Sequence, residues 1–325
     1  MAPPQGVNAL DTKTQHLTWK VLLAYAIIYF VWGSTYLAIR VGVLEMPPLL
    51  MAGIRFLIAG ALLYGWTVWR GERQPTSRQW ASISLLALLI FAVDYGLVFW
   101  AEQRVPSGVT AIIMATISAF MALAEIIFLG TQKLTLRLSL ALLIGLGGVA
   151  VLVSHSLDLG GAPVDTVGAV ALIVGAIAWA VAAVFARTQP LPESKFLSSG
   201  AQMLVGGVML LLTSSAIGEC KEFHPAGVSV AAWFSLAYLI VPGSIVAFTA
   251  YVWLLHHDSP TRVGTYAYVN PVVAVLVGYF MGGEALSGRT LMGALLVLVS
   301  VVMITATRKS QPTTVSRATS SEARS

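Results

Sequence analysis

The feature of this sequence that most limits its fold is a succession of apolar segments, each about as long as a bilayer is thick. A helix needs about 20 apolar residues to cross the hydrocarbon core, and ten segments meet that length. They are 19–40, 47–69, 80–100, 106–129, 134–153, 166–187, 195–217, 231–255, 260–282 and 287–307. Only 10% of the residues are charged, against about 25% in soluble domains. The sequence predicts an all-α integral membrane protein with ten transmembrane helices.

The basic residues predict the orientation of these helices. With the N-terminus in the cytoplasm, the inside segments hold 14 Lys and Arg residues and the outside segments hold 4. An excess of this kind marks the cytoplasmic side, and an even number of spans then places both termini there. The net charge of +5 is therefore a topology signal and does not indicate a nucleic-acid partner. The flanking parts are predicted to be a cytoplasmic segment 1–18, a periplasmic linker 154–165 and a disordered cytoplasmic tail 308–325.

The chain also repeats itself, with residues 19–153 as the first copy and 166–307 as the second. Four pairs of positions align at one offset of 147 residues: Trp32 with Trp179, Arg40 with Arg187, Arg55 with Gln202, and Gly60 with Gly207. Each copy contains five predicted spans, and because five is odd, the second copy enters the membrane from the opposite side. Inverted repeats are a transporter architecture in which the substrate site lies near the midplane between the copies.

Two stretches resemble a known family: FVWGSTYLAIRVGVLEMPPLLMAGIRF (30–56) and TYAYVNPVVAVLVGYFMGGEALSG (265–288). They are similar to the EamA family of the drug/metabolite transporter superfamily, and nearest to its YedA-like and YddG-like bacterial inner-membrane exporters. The resemblance extends over about residues 20–307. It implies ten helices in two inverted five-helix repeats, a central cavity, and export of small metabolites such as amino acids across the inner membrane.

The two halves depart differently from the pattern of that family. The first half has Ser118 and Gln132 where the family usually has a proline and a glutamate. The second half keeps both residues, as Pro271 and Glu284. The halves are therefore not expected to move as equivalents.

Three ionisable residues, Arg55, Asp94 and Glu125, fall within predicted spans. At 1.5 Å per residue, Arg55 and Asp94 lie about 4.5 Å and about 6 Å to the outer side of the middle of their spans. Charges inside a membrane usually pair or face a wet cavity. Arg55 is thus either a structural partner of Asp94 or a cavity residue that binds an anionic substrate group. Asp94 has a second interpretation as a proton carrier, and Glu125 is expected to reach toward the cytoplasmic interface.

Aromatic and amide side chains complete the candidate substrate-binding site. Trp32 and Tyr36 lie on one helical face, and Trp32 is near mid-depth, away from the interfacial belts where Trp is common. Its repeat mate Trp179 is expected to approach it around the pseudo-twofold axis. Tyr266 and Asn270 precede Pro271, which frees a backbone carbonyl for neighbours or cavity water. Packing is the competing interpretation for each of these residues.

The sequence contains no HExxH, GxSxG or P-loop motif, and it predicts no catalytic residues, no metal and no cofactor. His256, His257 and Asp258 are interpreted as an interfacial loop because a second ligand cluster is missing. The predicted function is a secondary transporter that exports small metabolites by alternating access, with a small-molecule substrate and the lipid bilayer as partners. Proton coupling and the oligomeric state stay open. An intramembrane enzyme and a membrane sensor or scaffold are the alternatives from other classes.

Overall fold

Long apolar helices make up the bundle, as the apolar segments predict. A computed structural model describes residues 19–130, 134–154, 163–257, 263 and 265–308, and within them every regular element is helical. The long helices are α1 (Trp19–Val43), α2 (Pro48–Trp69), α3 (Ser77–Ala101), α4 (Ser107–Leu129), α5 (Leu136–Val153), α6 (Thr166–Phe185), α7 (Lys195–Ala216), α8 (Val230–Leu254), α9 (Tyr266–Gly282) and α10 (Gly288–Arg308). Of these described helices, α1–α8 are long and apolar enough to cross a membrane. The last two have shorter apolar parts, Val269–Gly282 and Gly288–Ile304.

Polar side chains set where several helices begin. The Thr76 hydroxyl accepts from the Gln79 N–H and the Gln79 side chain accepts from the Thr76 N–H, a capping box at the start of α3. Ser229 caps α8 in the corresponding place of the second half, and Ser194 caps α7. Such caps satisfy N–H groups that have no partner inside the helix. The predicted segment 1–18, residues 309–325 of the predicted tail, and Gln132 lie outside the described residues.

Helices α2 and α7 make their closest contact at glycines, along a line that we call the glycine seam (Gly53, Gly60, Gly200 and Gly207). A Cβ on Gly60 would lie 2.4 Å from the backbone nitrogen of Leu204, and one on Gly207 would lie 2.4 Å from that of Leu57. The two contacts are related by the offset of 147 residues that relates the repeats. Residue numbers rise along α2 as they fall along α7, so the two helices are antiparallel.

A second antiparallel contact joins α5 to α10. A Cβ on Gly148 would lie 3.0 Å from the Gly293 carbonyl oxygen, and the Ser300 hydroxyl donates to the Ala141 carbonyl over 2.6 Å. Around these pairs the first helix of each half packs on the other half: α1 contacts α8 and α9, and α6 contacts α3 and α4. The halves are thus interlocked and do not form separate bundles.

Each end of the bundle has an Arg–Glu ion pair between the halves, and we name the ends after a buried glutamate at each. At the Glu102 end, Arg40 Nε lies 3.8 Å from Glu284 Oε1. At the Glu125 end, Arg187 Nη2 lies 3.0 Å from Glu125 Oε1. Arg40 and Arg187 are repeat mates, and each pairs with a glutamate in or directly after the fourth helix of the other half.

Helices α3 and α8 each contain an eight-residue π-helical stretch near the middle, Leu88–Tyr95 and Leu239–Val246. The stretch in α8 includes Pro242, which has no N–H to donate and is poorly accommodated in an α-helix interior. Shorter π-helical stretches occur in α1 (Ile27–Val31) and at the end of α4 (Glu125–Leu129). Because π-helical turns are rare and frequent at functional sites, the middle of α3 and α8 is a candidate position for a binding site.

Candidate functional site

Two of the predicted site residues donate hydrogen bonds to the π-helical stretch of α8. Trp32 Nε1 donates to the Gly243 carbonyl oxygen over 3.1 Å, and Arg55 Nε donates to the Ser244 hydroxyl over 3.0 Å. The Ser244 hydroxyl in turn donates to the Leu239 carbonyl over 2.9 Å, an acceptor five residues back that the wider π-helical turn brings within reach. This stretch therefore anchors α1 and α2 of the first half on α8 of the second.

Arg55 is buried in the bundle, with 2% of its surface exposed. Its guanidinium carbon lies 4.7 Å from the centre of the Phe56 ring, 5.4 Å from that of Tyr95 and 5.8 Å from that of Phe99. Cations are attracted to aromatic rings at these distances. The Nη1 atom is buried without a hydrogen-bond partner. Arg55 therefore has an unused donor in the protein interior.

Asp94 lies in the π-helical stretch of α3 and is also 2% exposed. Its Oδ1 atom is buried without a hydrogen-bond partner. It faces Gly175 of α6, where an added Cβ would lie 3.0 Å from Oδ1. The expectation of a fixed Arg55–Asp94 ion pair is wrong in this structure, because no such pair forms within 4.0 Å in the described part of the chain. Arg55 turns toward α8 and Asp94 toward α6.

Tyr95 connects the predicted residues of α1, α2, α3 and α6. Its ring packs edge-on against Trp179, with the centroids 5.9 Å apart, and it is one of the rings around the Arg55 guanidinium. The half-buried Tyr36 packs against the same apolar core as Tyr95. Arg55, Asp94, Tyr36 and Trp179 thus form one group around Tyr95, a residue that the sequence interpretation missed although it directly follows Asp94.

Trp32 and Tyr266 belong to a neighbouring aromatic group. The Trp32 ring lies 5.2 Å from that of Tyr266 and 5.4 Å from that of Tyr251, between centroids. Trp32 makes no ring contact with Trp179, so the expectation that the repeat mates approach one another is not met. Each instead packs on a tyrosine of the other half, Tyr251 of α8 and Tyr95 of α3.

The Asn270 side chain bonds to backbone carbonyl groups of two helices. With the amide oriented so that its nitrogen donates, that nitrogen lies 3.2 Å from the Tyr29 carbonyl oxygen and 3.3 Å from that of Tyr266. Asn270 is 8% exposed. It links α9 to the π-helical stretch of α1. Its amide nitrogen thus bonds to backbone carbonyls, whereas the sequence predicted a substrate-binding side chain.

Other charged groups from the sequence lie away from this centre. Glu125 is buried, 3% exposed, and its partner Arg187 holds it at one end of the bundle. Asp258 lies outside the described residues, as do residues 259–262. In the part of the chain that is described, no three His, Cys, Asp or Glu side chains come together in a way that could hold a metal ion.

Two further residues, Ser244 at this site and Glu102 at the Glu102 end of the bundle, were not predicted from the sequence. Ser244 follows Pro242 and Gly243, and that Pro-Gly pair within an apolar span was the available signal for irregular backbone. Glu102 is the first residue after α3, fully buried, and both its carboxyl oxygens lack partners. It lies just beyond the predicted apolar segment 80–100, so the search for charges inside the spans did not include it.

The comparison with protein families decides what kind of molecule carries this site. The model of the EamA-like transporter family matches residues 18–154 and again 166–306. The chain belongs to this family. Each match covers one half of the bundle, and each contains one of the two eight-residue π-helical stretches. The protein is accordingly a membrane transporter.

Named relatives agree with the EamA assignment. The chain is 38% identical over 280 residues to YedA of Escherichia coli (strain K12), described as an uncharacterized inner membrane transporter, covering 86% of this chain and 88% of YedA. It is 26% identical to Protein PecM of Dickeya dadantii (strain 3937), covering 84% and 88% of the two chains. A protein crystal structure superposes with a TM-score of 0.58 at 22% identity, covering 89% of this chain and 98% of that one, which shows a shared fold.

Proposed function

We propose that this EamA-family protein is a secondary transporter that exports small metabolites across the bacterial inner membrane by alternating access. YedA carries an inner-membrane description and is 38% identical, which supports the location. The basic residues support an orientation with the Glu125 end and both termini in the cytoplasm. At the Glu102 end, Arg40 of α1 contacts Glu102 after α3 and Glu284 after α9. The ends of these three odd-numbered helices therefore lie on one side of the bundle. This is expected if each helix crosses the membrane once, and it supports ten crossings.

Two inverted repeats, 19–153 and 166–307, are part of the same proposal. The antiparallel course of α2 and α7 supports it, because these helices are second in their respective halves. The exchange of partners around α1 and α6 supports it as well. Such a pair of halves can rock about contacts that lie on the pseudo-twofold axis, and the glycine seam is the closest backbone contact between them. We place the fulcrum of alternating access at this seam.

The observation that carries the substrate proposal is a pair of buried, unmatched polar atoms. Among the described residues, Arg55 Nη1 has no acceptor and Asp94 Oδ1 has no donor, and both residues are 2% exposed. Polar groups buried this way are unfavourable until something binds them. An α-amino acid offers a carboxylate for Arg55 and an ammonium for Asp94, and guanidinium–carboxylate contacts are strong. Trp179 packs on Tyr95 beside these charges, and Trp32 and Tyr266 form the neighbouring aromatic group. Together with Tyr36 and Asn270 they complete the proposed substrate-binding site for amino acids or amphipathic compounds.

Transport by purified protein in liposomes tests this function. Vesicles preloaded with one amino acid of a panel, or with an amphipathic cation such as ethidium, are given the labelled form outside. A carrier shows saturable counterflow that disappears when the preloaded solute is omitted. We expect zwitterionic amino acids to be exchanged and their decarboxylated amines to be exchanged at least tenfold more slowly, since the amines leave Arg55 unmatched. An enzyme would convert the solute without a gradient, and either conversion or a complete lack of counterflow would contradict the proposal.

A matched variant pair links that transport to the buried charges. Arg55→Gln should abolish exchange of zwitterions. Gln202→Leu changes the repeat mate on α7, where the amide donates to the Ser198 hydroxyl over 3.0 Å, and should leave exchange within about twofold of wild type. Equal losses in both variants would mean that α2 and α7 matter only as packing elements.

A further inference from the structure

Glu102 is a buried acid that the proposed substrate site does not use. It directly follows the membrane span Ser77–Ala101 and is 0% exposed. Among the described residues, neither carboxyl oxygen has a hydrogen-bond partner. Burying an ionised carboxylate without a partner costs far more free energy than burying a protonated carboxyl group. The described contacts therefore fit a Glu102 side chain that holds a proton.

One arginine from α1 stands beside this acid. Arg40 Nη1 donates to the backbone carbonyl of Glu102 itself, and also to the Val105 carbonyl over 3.0 Å. The guanidinium is thus adjacent to the carboxyl group but bound to backbone oxygens and, at 3.8 Å, to Glu284.

The second acid at this end has its own stabilising contacts. Glu284 Oε1 accepts from the Ser107 N–H over 2.6 Å and Oε2 from the Gly108 N–H over 3.0 Å. These N–H groups belong to the first turn of α4, where a negative charge is favoured. A negative charge on Glu284 disfavours a second carboxylate at Glu102.

The remaining polar groups around Glu102 come from the other packed elements. Arg55 of α2 and Tyr36 of α1 interact with it electrostatically. On the α6 side, Asp165 lies at the helix start and its Oδ1 accepts from the Gly168 N–H over 2.6 Å. Burial raises the pKa of the Glu102 carboxyl well above its usual range, the Glu284 charge raises that pKa further, and Arg40 opposes both.

We propose that Glu102 is a proton-binding site, and that Arg40 becomes its counter-ion when the proton leaves to water at the Glu102 end. This inference rests on the proposed transporter function, in which the proton is the coupling ion. Arg40 also joins α1 to Glu284, which caps α4, so its movement onto Glu102 loosens the ion pair between the halves at this end. Proton release and opening of the Glu102 end are thereby one event.

The first test needs no substrate. Infrared difference spectra of purified protein, taken between neutral and alkaline pH, should show loss of the C=O stretch of a protonated carboxylic acid. The band should be missing in Glu102→Gln. In Arg40→Gln it should persist to higher pH, because removal of the cation disfavours the carboxylate. A band that survives unchanged in folded Glu102→Gln would overturn the assignment, and so would an Arg40→Gln titration that does not move upward.

Thermal unfolding across pH gives an independent readout. A carboxyl whose pKa is higher in the folded than in the unfolded state contributes stability that is present below the unfolded value of about 4.3 and is lost as pH rises through the folded pKa. Wild type should therefore lose melting temperature from acid toward alkaline pH more steeply than Glu102→Gln. Parallel curves for the two proteins would contradict the proposal.

Glu45 provides the control at the same end of the bundle. The Ser229 N–H and hydroxyl donate to its carboxylate over 2.6 and 2.7 Å, and these bonds lower its pKa. Its contribution is therefore present above the unfolded pKa and lost as pH falls. Glu45→Gln should differ from wild type on the acid side, opposite to Glu102→Gln.

Transport separates failure of this inference from failure of the proposed function. In liposomes with an imposed pH gradient and the amino-acid panel, wild type should accumulate solute. Glu102→Gln should keep counterflow within about threefold of wild type but lose gradient-driven accumulation. Unchanged accumulation in Glu102→Gln would refute the proton site and would leave the proposed carrier function unaffected. A wild type that exchanges no solute would refute the carrier, and the infrared titration would still decide the proton site.

Discussion

Arg55 is held in the bundle by one hydroxyl and three aromatic rings, and no carboxylate lies within ion-pair distance among the described residues. This arrangement differs from a buried ion pair in its response to mutation. Removing one member of a buried pair costs about 3–5 kcal/mol because the other charge is stranded. Removing an arginine that has no charged partner leaves no other charge unpaired.

We therefore expect Arg55→Gln to change the free energy of unfolding by less than about 3 kcal/mol, the lower bound for breaking a buried pair. The double variant Arg55→Gln/Asp94→Asn should show no recovery over the single variants. Thermal unfolding of the two single variants and the double variant measures this cycle. Mutual rescue in the double variant would restore the ion-pair interpretation.

The identity of the site residues was more predictable from sequence than their partners. Charges and aromatic rings at mid-depth in apolar spans pointed to Arg55, Asp94 and Trp32. Depth along a helix, however, does not give the direction in which a side chain points. The contacts of Arg55 with Ser244 and of Asp94 with the Gly175 face depend on helix rotation, which tertiary packing decides.

At the scale of helices, the glycine seam is the contact most sensitive to a single added methyl group. Gly60 of α2 rests on the Leu204 backbone, where a Cβ would come within 2.4 Å of the nitrogen, and backbone cannot move aside as a side chain can. Gly65 of the same helix has nothing within 4 Å of a Cβ position. The two glycines, five residues apart on one helix, form a matched pair of test sites.

Gly60→Ala should destabilise the protein by about 1–3 kcal/mol, as overpacking in a close-packed interior does. Gly65→Ala should instead stabilise it by about 0.5–1 kcal/mol, because alanine is the better helix residue. Melting temperatures of the two purified variants measure the contrast. Equal effects at both positions would show that α2 and α7 do not meet as described.

Helix ends were predicted from sequence to within about three residues for most elements, because prolines and capping residues mark them. The predicted start of the ninth span, residue 260, lies outside the described residues, and α9 is described from Tyr266. The π-helical stretches were not predicted. Pro242 is a signal for the one in α8, but the stretch in α3 contains neither proline nor glycine, and its irregular backbone is set by packing against α6 and α7.

At the scale of the whole molecule, the orientation in the membrane can be tested with the native thiol. Cys220 is exposed in the connection between α7 and α8, at the Glu102 end, where Glu219 accepts from the Leu50 N–H at the start of α2. An impermeant maleimide should label Cys220 in intact spheroplasts. Arg73→Cys in a Cys220→Ser background should be labelled only after permeabilisation. The reverse pattern would place the termini outside.

The reciprocal form of the glycine seam also bears on how such a molecule can acquire new chemistry. Were the two halves identical separate chains, every substitution would occur twice, and an arginine at position 55 would be matched by another at position 202. Joined in one chain, the halves vary independently while the seam keeps its shape. Position 202 is a glutamine bound to Ser198, and position 55 alone holds a charge. Fusion of duplicated halves thus allows an asymmetric, directional centre to evolve inside a symmetric frame.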